Sequence, residues 1–143
     1  MKKITVIIVL LLGVIAYSQN YSIKNIEANT KYSDFGVTYY GENTAIYASS
    51  KKIKGSRNKK WYLNSQPFLD LYKATVTSTG EFVESEPFSK ELNTKMHESN
   101  VTFTKDLKTV YFSRDNYNSK KYYTDDNGWI LIQLSKADID SAG

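Results

Sequence analysis

Residues Asn93 to Asp115 read NTKMHESNVTFTKDLKTVYFSRD, and residues Asn29 to Lys51 read NTKYSDFGVTYYGENTAIYASSK. Laid over one another without a gap at a spacing of 64, they match at Asn29/Asn93, Thr30/Thr94, Lys31/Lys95, Val37/Val101, Thr38/Thr102, Tyr47/Tyr111 and Ser49/Ser113. Hydrophobic character also agrees at Tyr39/Phe103 and Ile46/Val110. Self-similarity at a fixed period marks one supersecondary unit used more than once. Whatever local structure this stretch forms, the chain forms it twice.

Working outward, the unit is made of strands. Val37 to Tyr40 is β-branched and aromatic, the composition that suits a half-buried pleated surface. Gly41-Glu42-Asn43-Thr44 reads as a tight turn, and Ala45 to Ser49 as the returning strand of a hairpin. Phe68 to Thr77 is a third strand, Thr77 to Gly80 a turn, and Glu81 to Phe88 a fourth strand whose Pro87 suits an edge. In the second copy Val101–Thr104, the turn Lys105–Lys108 and Thr109–Ser113 repeat the hairpin. A polar loop from Asp115 to Gly128 follows, and Trp129 to Ala137 repeats the third strand at a spacing of 63, with Leu71/Leu134, Lys73/Lys136 and Ala74/Ala137. The match runs on through Ser78/Ser141 to Gly80/Gly143, with no counterpart of the fourth strand after it. The divisions are residues 1–18 leader, 19–28 a polar lead-in that forms an edge strand or nothing regular, 29–92 the first unit and 93–143 the second.

The leader has a basic start at Lys2 and Lys3, an apolar run from Ile4 to Ile15, and small residues at Ala16-Tyr17-Ser18. This is the pattern of a secretory signal peptide cleaved after Ser18. A membrane anchor is the competing reading, but a spanning helix needs roughly 20 apolar residues. The mature chain is thus expected to be exported and to carry no transmembrane helix. With 143 residues there is room for one ordinary domain. There is no cysteine, hence no disulfide, no thiolate metal site and no lipoprotein anchor. Losing Lys2 and Lys3 takes 19 basic residues to 17 against 15 acidic, a net +2, which argues against a nucleic-acid partner.

Lys105-Asp106-Leu107-Lys108-Thr109-Val110-Tyr111-Phe112-Ser113-Arg114, followed by Asn116 and Tyr117, resembles the S-x-D-G-K-x-(I/L)-Y-F-S-S/R signature of the TolB-type, WD-repeat-like propeller blade. It is similar to repeats of exported OmpA-family proteins of Bacteroidota. Leu107 stands where that signature has glycine, and Gly41-Glu42-Asn43 stands in for its Asp-Gly turn. The resemblance implies an all-β fold of four-stranded antiparallel blades, one complete and one lacking its fourth strand. Propellers close with about 4–8 blades, and repeat arrays need about three units for stability. The expectation is therefore an N-terminal fragment of a longer polypeptide, partnered by further blades of its own chain. The helical repeats and peptidoglycan-binding domain of that family have no counterpart here.

Few residues carry chemistry. The only histidine, His97, sits beside Glu98, and its first-copy counterpart is Ser33-Asp34. Asp34, His97 and Glu98 either line the mouth of a propeller channel or cap their own turns. The basic run from Lys51 to Lys60 contacts an anionic lipid or glycan, or is a solvated loop. Asp125-Asp126-Asn127-Gly128-Trp129 lacks the alternating oxygens of a calcium loop and the spacing of a sialidase Asp-box, so a turn is expected. Trp61, Tyr62, Tyr117, Tyr122 and Tyr123 stack on sugar rings or cover the seam between sheets. No cofactor or metal site and no nucleophile with a base is legible. The reading favoured is a non-catalytic, periplasmic or outer-membrane-associated scaffold or binding segment partnered by envelope proteins or glycans. A substrate-gating propeller of a secreted peptidase or glycosidase and a glycan-binding surface protein are the alternatives.

Overall fold

The computed structural model describes residues 21–52, 59–118 and 120–140. The leader, the middle of the basic run at 53–58 and the last matches at the chain end lie outside the described residues. Within them the fold is all-β and antiparallel, with no helix and therefore none long and apolar enough to cross a membrane. Strands β1 (Asp34–Tyr39), β2 (Thr44–Ser49), β3 (Asp70–Val76) and β4 (Phe82–Pro87) form a four-stranded meander in that order. Strands β5 (Glu98–Phe103), β6 (Thr109–Asp115) and β9 (Ile132–Asp138) form a three-stranded sheet. The expected polar loop before β9 contains a two-stranded hairpin, β7 (Tyr117–Asn118) with β8 (Lys121–Tyr122). The described part of the lead-in, residues 21–28, forms no strand; it is tied to the first sheet by Lys24 and the Glu27 N–H, both bonded to the Glu81 carboxylate. The two sheets do not close into a ring.

The repeat is visible atom by atom. In the first unit Asp34 accepts hydrogen bonds from the Thr30 N–H and hydroxyl, and Thr30 Oγ1 accepts from the Tyr32 N–H. In the second, Glu98 accepts from the Thr94 N–H and hydroxyl, and Thr94 Oγ1 accepts from the Met96 N–H. A threonine four residues ahead of a carboxylate thus caps the entry to each sheet's first strand. Each first strand then bulges at the same place, between Phe35 and Thr38 and between Ser99 and Thr102. The bulge needs a left-handed residue, supplied by Gly36 at φ 68° and Asn100 at φ 49°.

The second strands do not keep the spacing of 64. Tyr39 lies opposite Ala45 and Thr38 opposite Ile46, whereas Phe103 lies opposite Val110 and Thr102 opposite Tyr111. By pairing, β2 and β6 correspond at a spacing of 65. The added residue sits in the turn, closed by Tyr40 N–H to Thr44 O in the first unit and by Thr104 N–H to Thr109 O in the second. Leu107 takes the left-handed turn position at φ 58°. A one-residue slip sends a side chain to the other face of its sheet. The identities Tyr47/Tyr111 and Ser49/Ser113 therefore join residues of opposite faces. The third strands correspond at 63, as expected: Ala45 pairs with Ala74 and Val110 with Ala137.

The core lies between the sheets. Ile46, Ala48 and Leu71 pack against Val101, Val110 and Phe112, with the Tyr40 and Phe103 rings at 4.7 Å closing one end. Each of the larger side chains, Ile46, Leu71, Val101, Val110 and Phe112, contributes about 1.5–3 kcal/mol on burial. Asn93 fastens the start of the second unit to β3 by accepting from the Leu71 N–H and donating to its carbonyl. The other face of the first sheet holds a smaller cluster of Tyr47, Tyr72, Ala74 and Phe82. Lys51 lies over the Tyr47 and Tyr72 rings and bonds to Tyr47 Oη and Ser85 Oγ. Lys52 pairs with Asp70. These two members of the basic run are consequently built into the sheet rather than part of a solvated loop.

Candidate functional site

Where the loops of both units meet at one end of the sheets, they leave a cleft of about 630 Å3. Four segments build it. The β2–β3 connection brings Trp61, Tyr62 and Phe68, and the approach to β5 brings Met96 and His97. The β7–β8 hairpin brings Tyr117 and Tyr122, and the turn before β9 brings Trp129. Each segment is held locally. Trp61 closes a turn by hydrogen bonds with Gln66 and Ser65, and an isolated bridge joins Lys60 to Pro67. Asp125 accepts from the N–H groups of Asn127 and Trp129 and from the backbone of Gly128, which has φ 83°. The Asp125–Trp129 segment is thus a turn, and its aspartate is spent on its own backbone.

His97 forms the cleft's inner wall. Its ring lies 4.6 Å from Phe68 and 4.9 Å, edge-on, from Trp61. Nδ1 accepts the Leu69 N–H at 3.1 Å, so the ring proton of the neutral form sits on Nε2. Burial holds the imidazole below its usual value, opposed by the Asp115 carboxylate. That carboxylate accepts the His97 N–H, and the His97 carbonyl accepts the Asp115 N–H. Nε2 is buried with no hydrogen-bond acceptor among the described residues. A donor left in that state costs about 1–3 kcal/mol.

Of the residues singled out in the sequence, the structure brings Trp61, Tyr62, His97, Tyr117 and Tyr122 together. Tyr123 is exposed outside the cleft, with its N–H bonded to the Asn116 carbonyl. Asp34 lies on the outer face of the first sheet, where Ser49 Oγ and Thr30 hold it. Glu98 is fully buried between the sheets. Burial pushes its carboxyl up from 4.5 to about 7, against the stabilising hydrogen bonds of Thr94. Asp34 and Glu98 act as caps.

The cleft also contains residues the sequence did not single out: Lys95 and Lys120 on the rim and Met96 within. Trp129 was legible only as part of a turn and as the start of the expected third strand, which begins at Ile132 instead. No local signal joins these positions, since the cleft is assembled from segments up to about 70 residues apart. Among the described residues no three of His, Cys, Asp or Glu stand close enough to hold a metal ion. No family model, curated protein or solved structure matches this chain.

Proposed function

We propose that this chain is a non-catalytic, exported scaffold or binding segment of β-propeller type, each sheet being one blade. The observation that supports this reading is the behaviour of equivalent side chains. Leu71 of β3 is 0% exposed because the second sheet covers it, while its counterpart Leu134 of β9 is 77% exposed. Val101 of β5 is 5% exposed against the first sheet, while Val37 of β1 is 54% exposed. Ile46 and Tyr111, and Phe103 and Tyr39, follow the same rule. The front of one sheet thus packs on the back of the next, and these positions stand open on the terminal faces, whereas Tyr47, the counterpart of Phe112, is covered within its own sheet by Tyr72 and Phe82. Repeat arrays work this way, each unit covering its neighbour.

The natural cover for those faces is a further unit of the same repeat in a longer chain, and the leader directs the whole to the cell envelope. Joining another copy of residues 93–140 after Asp140 tests this. The extended protein should melt at a higher temperature and bind less of a hydrophobic dye than the chain alone. An unchanged midpoint and unchanged dye binding would count against the reading.

A further inference from the structure

The chain has two tryptophans, Trp61 and Trp129, and both stand in the cleft at the end of the sheets, brought there from different repeat units. Tyr62, Tyr122 and Trp129 are mostly exposed there. Large rings held at a concave surface, rather than buried in a core, mark a contact site. The volume of about 630 Å3 falls within the ~300–1,000 Å3 of small-molecule sites.

Charge narrows the ligand. Among the described residues Lys59, Lys60, Lys95 and Lys120 line the cleft, against one carboxylate, Asp115. Asp115 is already engaged by the His97 N–H. Elsewhere Lys24, Lys52 and Lys73 each have an acidic partner, but none of the four cleft lysines forms an ion pair among the described residues. A concave site lined by one sign of charge attracts the opposite sign. The cleft therefore offers flat apolar faces and cations.

We infer that this cleft binds an acidic saccharide, its rings stacked on the tryptophan and tyrosine faces and its carboxylate or sulfate groups met by the lysines. Sugar rings present apolar C–H faces to aromatic side chains, and their acidic substituents supply the counter-charge the lysines need. A neutral apolar ligand would leave the lysines without a counter-charge. A nucleic acid is less well matched, because among the described residues the lining holds lysines and no arginine, the residue that forks onto phosphate. This inference does not depend on whether further blades follow.

Because both tryptophans line the cleft, their fluorescence reports occupancy directly. The protein would be titrated with trigalacturonate, with neutral maltotriose and with a short oligothymidylate at one fixed, low ionic strength. Trigalacturonate should give a saturable change, weakened at least about tenfold by K95A/K120A and by Tyr62→Ala, and weakened by added salt. These side chains are exposed, so circular dichroism of the variants should match the parent. Absence of a saturable change with trigalacturonate up to about 10 mM, a weak Kd by any standard, would overturn the inference. So would an equal response to maltotriose, or indifference to the lysine substitutions. Tighter binding of oligothymidylate would reassign the cleft to nucleic acid.

Discussion

The two sheets carry the same unit and live in different surroundings. Their first strands begin with the same threonine–carboxylate cap and bulge at the same position. Yet Asp34 caps a strand whose outer face is open, while Glu98 is wedged, fully buried, against the first sheet. Leu71 and Leu134 are the mirror case on the third strands. A residue's type and strand position are repeated, but its energetic worth is set by whether a sheet lies over it. Chemically equal substitutions should therefore have unequal effects in the two units.

The largest difference is expected at the third strands. Leu71→Ala should cost about 2–5 kcal/mol, as a buried leucine does, whereas Leu134→Ala should stay within about 0.5 kcal/mol, as an exposed one does. Urea midpoints of the two variants measure this. Similar losses at both sites would mean that Leu134 is covered in solution.

Next comes the buried cap. Burial raises the Glu98 carboxyl from 4.5 to about 7 in the folded chain. The folded state then holds a proton that the unfolded state releases, so this contribution is complete below pH 4.5 and is lost as pH rises through about 7. The loss amounts to about 3 kcal/mol at most. Glu98→Gln removes it, so the variant should gain stability relative to the parent as pH rises from 5 to 8, read from paired thermal melts. Any contribution from His97 is common to both proteins and cancels in the difference. A constant gap between the two proteins across that range would place Glu98 in contact with water.

A smaller effect separates the two bulges. At Gly36 a Cβ would approach Asn100 Oδ1 to 3.2 Å, on a backbone with φ +68°. Gly36→Ala should cost about 1–2 kcal/mol, the penalty of a side chain in the left-handed region, while Asn100→Gly should be within about 0.5 kcal/mol because asparagine already tolerates that region. Guanidine midpoints would show it, and equal costs would mean that the bulges are not equivalent. The smallest change belongs to the exposed Lys73–Glu86 pair at 3.2 Å. Lys73→Met should move stability by less than about 0.5 kcal/mol, which a double-mutant cycle with Glu86→Gln would measure.

The strands were legible because β-branched and aromatic runs between Gly, Asn and Asp turns are locally encoded. Val37–Tyr39 of the expected Val37–Tyr40, Thr109–Ser113 and the spacing of 63 between the third strands all reappear in paired strands. The gapless spacing of 64 misled at β6 because matching Tyr47 to Tyr111 counted identity, not the direction a side chain faces. One extra residue in the turn reverses that direction. The cleft was half legible. Trp61, Tyr62, His97, Tyr117 and Tyr122 stood out by residue type, but Lys95, Lys120 and Trp129 became part of the same site only when four loops converged.

By itself, the sequence determined the unit: two hairpins with a threonine–carboxylate cap, a left-handed bulge residue and a third strand carrying Leu-x-Lys-Ala. These depend on interactions within a few residues or across one tight turn, so the local chain specifies them. Only the tertiary structure decided which face of each sheet is buried, that Lys51 and Lys52 belong to the first sheet, and that aromatic and basic residues from both units share a cleft. Those outcomes depend on burial against partners far along the chain. The free energy of a side chain there comes from what covers it, which no local pattern records.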